Sequence, residues 1–117
     1  MENKVIILGA GIGAMTMGFE NAGCSVVAAY ERDRRAIELY KKNISDEINE
    51  LDQLWASNLE DMPDIDILAC DFYRAFYRDL SIAGRKQKNA RDVNNVIKLI
   101  LDYRMPKIIC FLYRRLV

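Results

Sequence analysis

Residues 4–31 decide the fold, and they read KVIILGAGIGAMTMGFENAGCSVVAAYE. An apolar run from Val5 to Leu8 leads into a glycine-rich segment, GAGIGA, at residues 9–14. A pattern with helical spacing follows, and a second apolar run then ends in the acidic residue Glu31. The order of strand, tight turn, helix, strand and acid predicts a βαβ unit with parallel strands.

The residues of this turn suit an adenosine-containing cofactor. Glycine at positions 9, 11 and 13 permits a sharp turn and lets a ligand approach the main chain without a Cβ in the way. The helix that begins near Gly13 offers unpaired N–H groups to polar or anionic groups. Glu31 follows the glycines by about 20 residues, where a carboxylate can accept hydrogen bonds from both ribose hydroxyls. The same pattern also fits a βαβ unit whose glycines serve only close packing. The candidate cofactor-binding residues here are Gly9, Ala10, Gly11, Ile12, Gly13, Glu31 and Arg32.

Composition sets limits on the class of protein. The chain has 117 residues, which we predict to form one domain over 1–117 with a modest core. It is 51% hydrophobic and 29% charged, as is typical of globular proteins. The 17 basic and 17 acidic side chains give a net charge of zero, so no global field attracts the chain to nucleic acid or to a membrane.

Cysteine and histidine usage excludes several kinds of site. Cys24, Cys70 and Cys110 are too widely spaced to predict a disulfide framework or a zinc site. The chain has no histidine, the commonest general base and metal ligand, and we expect no metal. The first apolar run is too short for a signal peptide, and no segment is long enough to span a membrane. We therefore expect a cytoplasmic protein with no membrane partner.

Strands and helices alternate along the whole sequence. The helix predicted over 13–22 places Ile12, Met15, Phe19 and Ala22 on one side, and Asp33 can cap a second helix. The strands are predicted over 5–8, 25–30, 65–70 and 107–113, with a short one near 54–57. Further helices are predicted after Asp71 and after Asp92, with a polar basic loop over 81–91 between them. This alternation predicts an α/β fold: a Rossmann-like parallel sheet of about five strands with helices on both faces.

Three motifs follow one another in the first 43 residues: AGIG at 10–13, GFENAG at 18–23, and E-x-D-x-x-A-x-x-x-Y-x-x-N at 31–43. In this order they resemble the opening of the cytosine-C5 DNA methyltransferases. That family begins with a pattern close to D-L-F-A-G-I-G-G, a helix ending in N-A-G, and a strand ending in N-E-x-D. The later segments 64–68, 81–85 and 106–108 resemble the strand before the family's catalytic loop, the segment after that loop and the next strand. The resemblance covers only the front, cofactor-binding part of the family's catalytic domain.

The resemblance implies S-adenosylmethionine as the cofactor. Residues 9–13 would hold its methionine end, and Glu31 would bind the ribose hydroxyls. Asn58 and Leu59 would lie beside the adenine amine, where the family usually has an acid. Asn58 can still form a hydrogen bond there, but without the charge.

The chain departs from the family where the chemistry takes place. The family's catalytic loop carries a Pro-Cys pair, whose thiolate adds to C6 of a flipped cytosine. Between Leu68 and Ser81 this chain reads ACDFYRAFYRDL, which contains no such pair. Cys70, the only thiol nearby, precedes the loop at the end of a strand, and we interpret it as structural. Since a later family glutamate and the target-recognition part are also missing, we predict no catalytic residues and no DNA methylation by this chain alone.

Two other functions stay open at the level of sequence. GAGIGA also fits the G-x-G-x-x-A pattern of NAD(P)- and FAD-binding proteins, with Glu31 as the ribose acid. Alternatively, a basic surface in the region that replaces the catalytic loop could contact DNA phosphates, although a solvated helix beside a flexible loop is the simpler explanation of these residues. The candidate nucleic-acid residues are Arg74, Arg78, Arg85, Lys86 and Lys88.

The last predicted strand points to a partner. Residues 108–113 read IICFLY, and nothing in the sequence covers the far side of this strand. An apolar edge strand is an aggregation hazard unless it is paired or buried. We therefore predict a homodimer, or a complex with a complementary methyltransferase chain, through the 107–113 edge.

Overall fold

A computed structural model of the protein describes residues 2–51, 64–71, 98, 100–102 and 105–112. It contains seven elements with defined bounds. These are β1 (Lys4–Leu8), α1 (Ala14–Asn21), β2 (Ser25–Glu31), α2 (Arg34–Asn43), β3 (Asn49–Glu50), β4 (Ile67–Asp71) and β5 (Ile108–Leu112). Within the described residues no helix has the length and apolar character needed to cross a membrane.

The five strands form one parallel sheet in the order β3-β2-β1-β4-β5. The chain runs from β1 outward to β2 and β3, then returns to the other side of β1 for β4 and β5. The strand order therefore reverses between β1 and β4. In open parallel sheets, ligands bind in the crevice at the carboxyl ends of the strands that flank such a reversal.

The central strands are buried on both faces, as their unbroken apolar runs predict. Alternate residues of β1 enter two different cores: Ile6 and Leu8 pack with Leu68 on one face of the sheet. Val5 and Ile7 pack on the other face with residues of α2. The predicted α/β fold, with its Rossmann-like parallel sheet of five strands, is confirmed.

Helix α1 ends as the sequence predicts, and the side that carries its apolar residues is buried only in part. Gly23 has a φ of +90°, and the Cys24 N–H donates to the Phe19 carbonyl at 2.9 Å, which closes the helix in a Schellman motif. Of the four residues predicted to share one side, Met15 and Phe19 pack against the core, whereas Ile12 is 58% exposed and Ala22 is exposed as well. The buried residue is Thr16, because its hydroxyl forms a 3.0 Å hydrogen bond with the buried hydroxyl of Tyr40 in α2.

Helix α2 follows its sequence signals closely. The Asp33 carboxylate accepts a hydrogen bond from the Arg35 N–H at 2.9 Å, which is the predicted N-cap. Ile37 and Tyr40 are buried, as their spacing predicts. The predicted strand near 54–57, the predicted helix after Asp71 and the basic loop lie outside the described residues.

Gly13 is the glycine whose replacement we expect to be most costly. It has a φ of +108°, and the place of a Cβ is filled by the side chain of Ile44, whose Cδ1 would lie at 2.8 Å and whose Cγ1 would lie closer still. Gly13→Ala is therefore expected to lower the free energy of unfolding by roughly 2 kcal/mol or more, through backbone strain and overpacking.

Gly18→Ala is the matched control, since Gly18 lies inside α1 and an added Cβ meets nothing within 4 Å. This variant is expected to gain about 0.5–1 kcal/mol from the better helix propensity of alanine. Chemical denaturation of both variants measures the difference. Equal stability of the two would contradict the packing of Ile44 over the turn.

Candidate functional site

A cleft opens at the carboxyl ends of β1 and β4, where the strand order reverses. Its volume is about 200 Å³. The described residues that line it are Gly9, Ala10, Gly11, Ile12, Ala14, Met15 and Asp71. Because the lining is largely glycine and alanine, a ligand in the cleft would contact the main chain of the turn directly.

The glycine turn is held in shape by hydrogen bonds to the end of β2. The N–H groups of Gly9 and Ala10 both donate to the Tyr30 carbonyl, at 2.8 and 2.9 Å. Gly9 has a φ of +80° and Gly11 a φ of +60°, conformations that glycine adopts most readily. These bonds fix the turn against the strand that carries the acidic residue Glu31.

Glu31 completes this attachment. Its side chain is only 2% exposed, and its Oε1 accepts a hydrogen bond from the Gly11 N–H at 2.8 Å. Its Oε2 accepts from the N–H groups of Arg32 and Asp33, at 2.6 and 2.8 Å. A carboxylate can accept about four hydrogen bonds, so these three leave little capacity for a further donor. Glu31 therefore joins the glycine turn to the β2 end, a structural role that the motif alone does not reveal.

The predicted cofactor residues of the turn have two different surroundings. Gly9 through Ile12 line the cleft, as a cofactor-binding turn requires. Gly13 instead is buried under Ile44 and Tyr40 of the α2 side. The close-packing interpretation thus holds at Gly13, whereas ligand approach at Gly9 through Ile12 stays a prediction.

The other predicted site residues are only partly described. Arg32 is half-buried and follows Glu31 directly in the chain. Asn58, Leu59 and the five basic residues of the predicted nucleic-acid surface lie outside the described residues, so their roles stay predictions.

Asp71 is a cleft residue that the sequence interpretation missed. It ends β4, is 9% exposed, and lines the cleft beside the glycine turn. A signal for it existed in the sequence. The carboxyl ends of neighbouring parallel strands lie at the same edge of a sheet, so an acid at the end of β4 must come close to a turn at the end of β1.

Cys70 has the surroundings of a structural cysteine. It is fully buried in β4 and packs in the same core as Ile6 and Leu8. Burial, with a smaller contribution from the neighbouring Cys110, raises the pKa of the Cys70 thiol to about 12. Since the thiolate is the nucleophilic form, Cys70 is unreactive near neutral pH.

Residues 3–111 match the family profile of the C-5 cytosine-specific DNA methylases. The chain belongs to this family. Curated relatives support the assignment: type II methyltransferase M.NgoBI of Neisseria gonorrhoeae is 36% identical over 86 residues, which are 70% of this chain and 24% of that protein. Type II methyltransferase M.HaeII of Haemophilus aegyptius is 36% identical over 88 residues, 72% of this chain and 25% of that protein. This member of the C-5 cytosine methylases thus spans about a quarter of the length of those two relatives.

Solved structures share the fold of this family member. A precorrin 8w decarboxylase from Methanobacterium thermoautotrophicum superposes with a TM-score of 0.64 at 20% identity, over 98% of this chain and 56% of that one. A SAM-dependent methyltransferase from Thiobacillus denitrificans, solved with S-adenosyl-L-homocysteine, gives a TM-score of 0.57 at 18% identity, over 99% of this chain and 45% of that one. The family resemblance and the Rossmann-like methyltransferase fold predicted from the sequence are both confirmed.

Removing the Glu31 carboxylate is expected to destabilise the protein, whatever its role in binding. Glu31→Ala leaves the N–H groups of Gly11, Arg32 and Asp33 without their acceptor, which should cost about 2–4 kcal/mol of unfolding free energy. Glu38→Ala, at an exposed position of α2, is the control and should change stability by about 0.5 kcal/mol or less. Chemical denaturation compares the two variants. If both lost the same stability, Glu31 would not hold the turn.

Proposed function

We propose that this chain is a degenerate cytosine-C5 methyltransferase that keeps a binding cleft for S-adenosylmethionine and does not transfer methyl groups by itself. The observation that carries the proposal is the glycine turn, which is fixed to the β2 end through Tyr30 and Glu31 and borders an open cleft. The relatives of the chain are named methyltransferases, and a protein of the same fold was solved with S-adenosyl-L-homocysteine.

The residues of the cleft fit such a cofactor. Gly13 stands at the N-cap of α1 and makes no side-chain cap, so the first N–H groups of the helix are available to the carboxylate of a methionine moiety. The turn over Gly9–Ile12 would lie against the methionine end. Glu31, which the family resemblance assigns to the ribose, would have only the one acceptor site that its three backbone hydrogen bonds leave. When bound, S-adenosylmethionine supplies an electrophilic methyl group on its sulfonium.

The chain's own cysteines do not supply the nucleophile that cytosine methylation needs. Cys70 is buried and its pKa is raised to about 12. Cys110 lies within β5, and Cys24 precedes β2 at the opposite end of the sheet from the cleft. No Pro-Cys pair stands between Leu68 and Ser81. These positions support a cofactor-binding role without methyl transfer.

We further propose that the protein acts through a partner, either a second copy or a complementary methyltransferase chain, which docks on the 107–113 edge. In the described part of the sheet, β5 is the outer strand beyond β4. Four of its side chains are large, apolar and at least 40% exposed: Ile108, Ile109, Phe111 and Leu112. Exposed apolar patches of this kind mark interaction surfaces.

Calorimetric titration with S-adenosylmethionine and with S-adenosylhomocysteine tests the cofactor proposal, with NAD titrated in parallel. We expect micromolar binding of the first two. Ala14→Leu should weaken it about tenfold or more, because Ala14 lines the cleft and its side chain is exposed there. Ala22→Leu, exposed at the far end of α1, is the control and should bind like the wild type. Binding of NAD alone would contradict the proposal.

The purified chain is expected to transfer no labelled methyl group from S-adenosylmethionine to DNA. Cys70 is buried and the pKa of its thiol is raised to about 12, and neither Cys24 nor Cys110 is among the described residues that line the cleft. Scintillation counting of the recovered DNA measures the transfer, and a type II cytosine methyltransferase serves as the positive control. Incorporation above the no-protein background would refute the proposed inactivity.

Sedimentation velocity tests association through β5. We expect a dimer at micromolar concentration, because pairing at the β5 edge covers exposed apolar surface of Ile108 and Phe111, which lie on opposite faces of the strand. Phe111→Lys places a charge on that edge and should shift the species to a monomer. Leu39→Lys, at an exposed apolar position of α2, is the control and should leave the dimer intact. If the wild type is monomeric and does not bind a complementary methyltransferase chain either, the proposed association through β5 is contradicted.

A further inference from the structure

Strand β5 presents backbone groups and side chains that fit a second copy of the same strand. We infer that two chains join β5 to β5 in antiparallel orientation about a twofold axis. The backbones of Ile109 and Phe111 are hydrogen-bonded across the joint, and the two Cys110 residues lie opposite each other. This pairing rests on the proposed association through the 107–113 edge, commits to a second copy as the partner, and assigns the register.

The backbone of β5 determines which residues face the outer edge of the sheet. The pairing of β5 with β4 is regular over all five residues of β5. The Ile108 N–H donates to the Asp66 carbonyl at 3.1 Å, so Ile108 directs its peptide groups toward β4. Since successive residues of a strand direct these groups to opposite sides, those of Ile109 and Phe111 point away from β4. In the described part of the sheet β5 is the last strand, so these groups form an edge that another strand can pair with.

Strand β5 has none of the features that keep edge strands from pairing. Such features are charged side chains, proline, a bulge or a very short strand. Residues 108–112 read IICFL, and their pairing with β4 has no shift of register. The strand at the other edge of the described sheet, β3, has only two residues, of which Glu50 is charged. The β5 edge is therefore the receptive one.

An antiparallel copy meets β5 with matching side chains. When the five residues overlap completely, Ile109 lies opposite Phe111 of the second copy, and Ile108 lies opposite Leu112. These four side chains are at least 40% exposed in the single chain. Pairs of aromatic and β-branched residues across antiparallel strands stabilise a sheet. Each exposed apolar side chain of the strand thus meets another one, and this self-complementarity favours a second copy over an unrelated chain.

Cys110 lies at the centre of this arrangement. Its peptide groups point toward β4, as those of Ile108 do, so the two Cys110 residues form a non-hydrogen-bonded pair across the axis. The Cα atoms of such a pair are about 4.5 Å apart, which is within the range that a disulfide spans. A register shifted by two residues places Cys110 opposite Ile108 or Leu112 of the second copy. A disulfide between the two copies therefore reports the register.

Oxidation of the wild-type chain with diamide tests the pairing. Two Cys110 thiols lose two protons and two electrons, which the N=N bond of diamide accepts, and one S–S bond forms between the copies. We expect a reducible dimer that forms about tenfold faster than in Cys110→Ser, because pairing raises the effective concentration of the two thiols. Mass spectrometry of the digested dimer should identify the link between the two Cys110 residues. Cys24 and Cys70 remain free in Cys110→Ser and measure the background from other thiols.

Two further variants move the thiol along the same face of β5. In one, Cys110→Ser is combined with Ile108→Cys; in the other, it is combined with Leu112→Cys. Both are expected to cross-link at the background rate, because in the inferred register each new thiol lies about 13 Å along the strand from its own copy. These variants are matched controls, since they keep one thiol on the exposed strand.

Sedimentation velocity of the same samples separates the possible outcomes. A dimer that cross-links best through position 108 or 112, or through none of the three positions, would overturn the register and leave association through β5 standing. A monomer that binds a complementary methyltransferase chain would overturn the choice of a second copy, and the proposed function would still stand. If the wild type neither dimerises nor binds such a chain, the pairing and the proposed association both fail. The link in the wild type needs no variant, so it decides the register even if a variant does not fold.

Discussion

The hydrogen bond from the Gly11 N–H to the Glu31 carboxylate is the contact on which the site depends. Glycine turns are flexible by nature, because a residue without a Cβ has many conformations to lose on folding. Two groups of β2 restrain this turn: the carbonyl of Tyr30 and the buried carboxylate of Glu31. Glu31 lies two residues before Asp33, the N-cap of α2. The same carboxylate binds the N–H groups that lead into α2, so turn, strand and second helix share one anchor.

This arrangement changes how the acid at the end of β2 is understood. The motif alone would assign the Glu31 carboxylate to the ribose hydroxyls of a cofactor. In the folded chain its oxygens already accept three backbone hydrogen bonds, so a ribose would compete for the same atoms that hold the turn. The chain therefore has a physical reason to keep the acid whether or not it binds a ribose, because the turn itself would loosen without it.

The sequence predicted the parts of the structure whose signal is local. The apolar runs, the Asp33 cap and the Gly23 helix end are each written in a few neighbouring residues, and each is present. The exposed two-residue strand Asn49–Glu50 has no apolar signal, and so it could not be predicted. Thr16 was missed because hydrophobic periodicity ignores a hydroxyl whose partner lies 24 residues away. Asp71 reaches the cleft only through the pairing of β1 with β4, which depends on the order of strands in the sheet.

In the described part of the sheet the two edges are unlike each other, and this difference would limit the size of the proposed assembly. The β3 edge is a strand of two residues, one of them charged, which is a poor template for another chain. The β5 edge has five residues and an apolar surface. Two copies that join β5 to β5 about a twofold axis leave only β3 edges facing outward. Growth would then stop by symmetry, so the proposed association would give a closed pair rather than a filament.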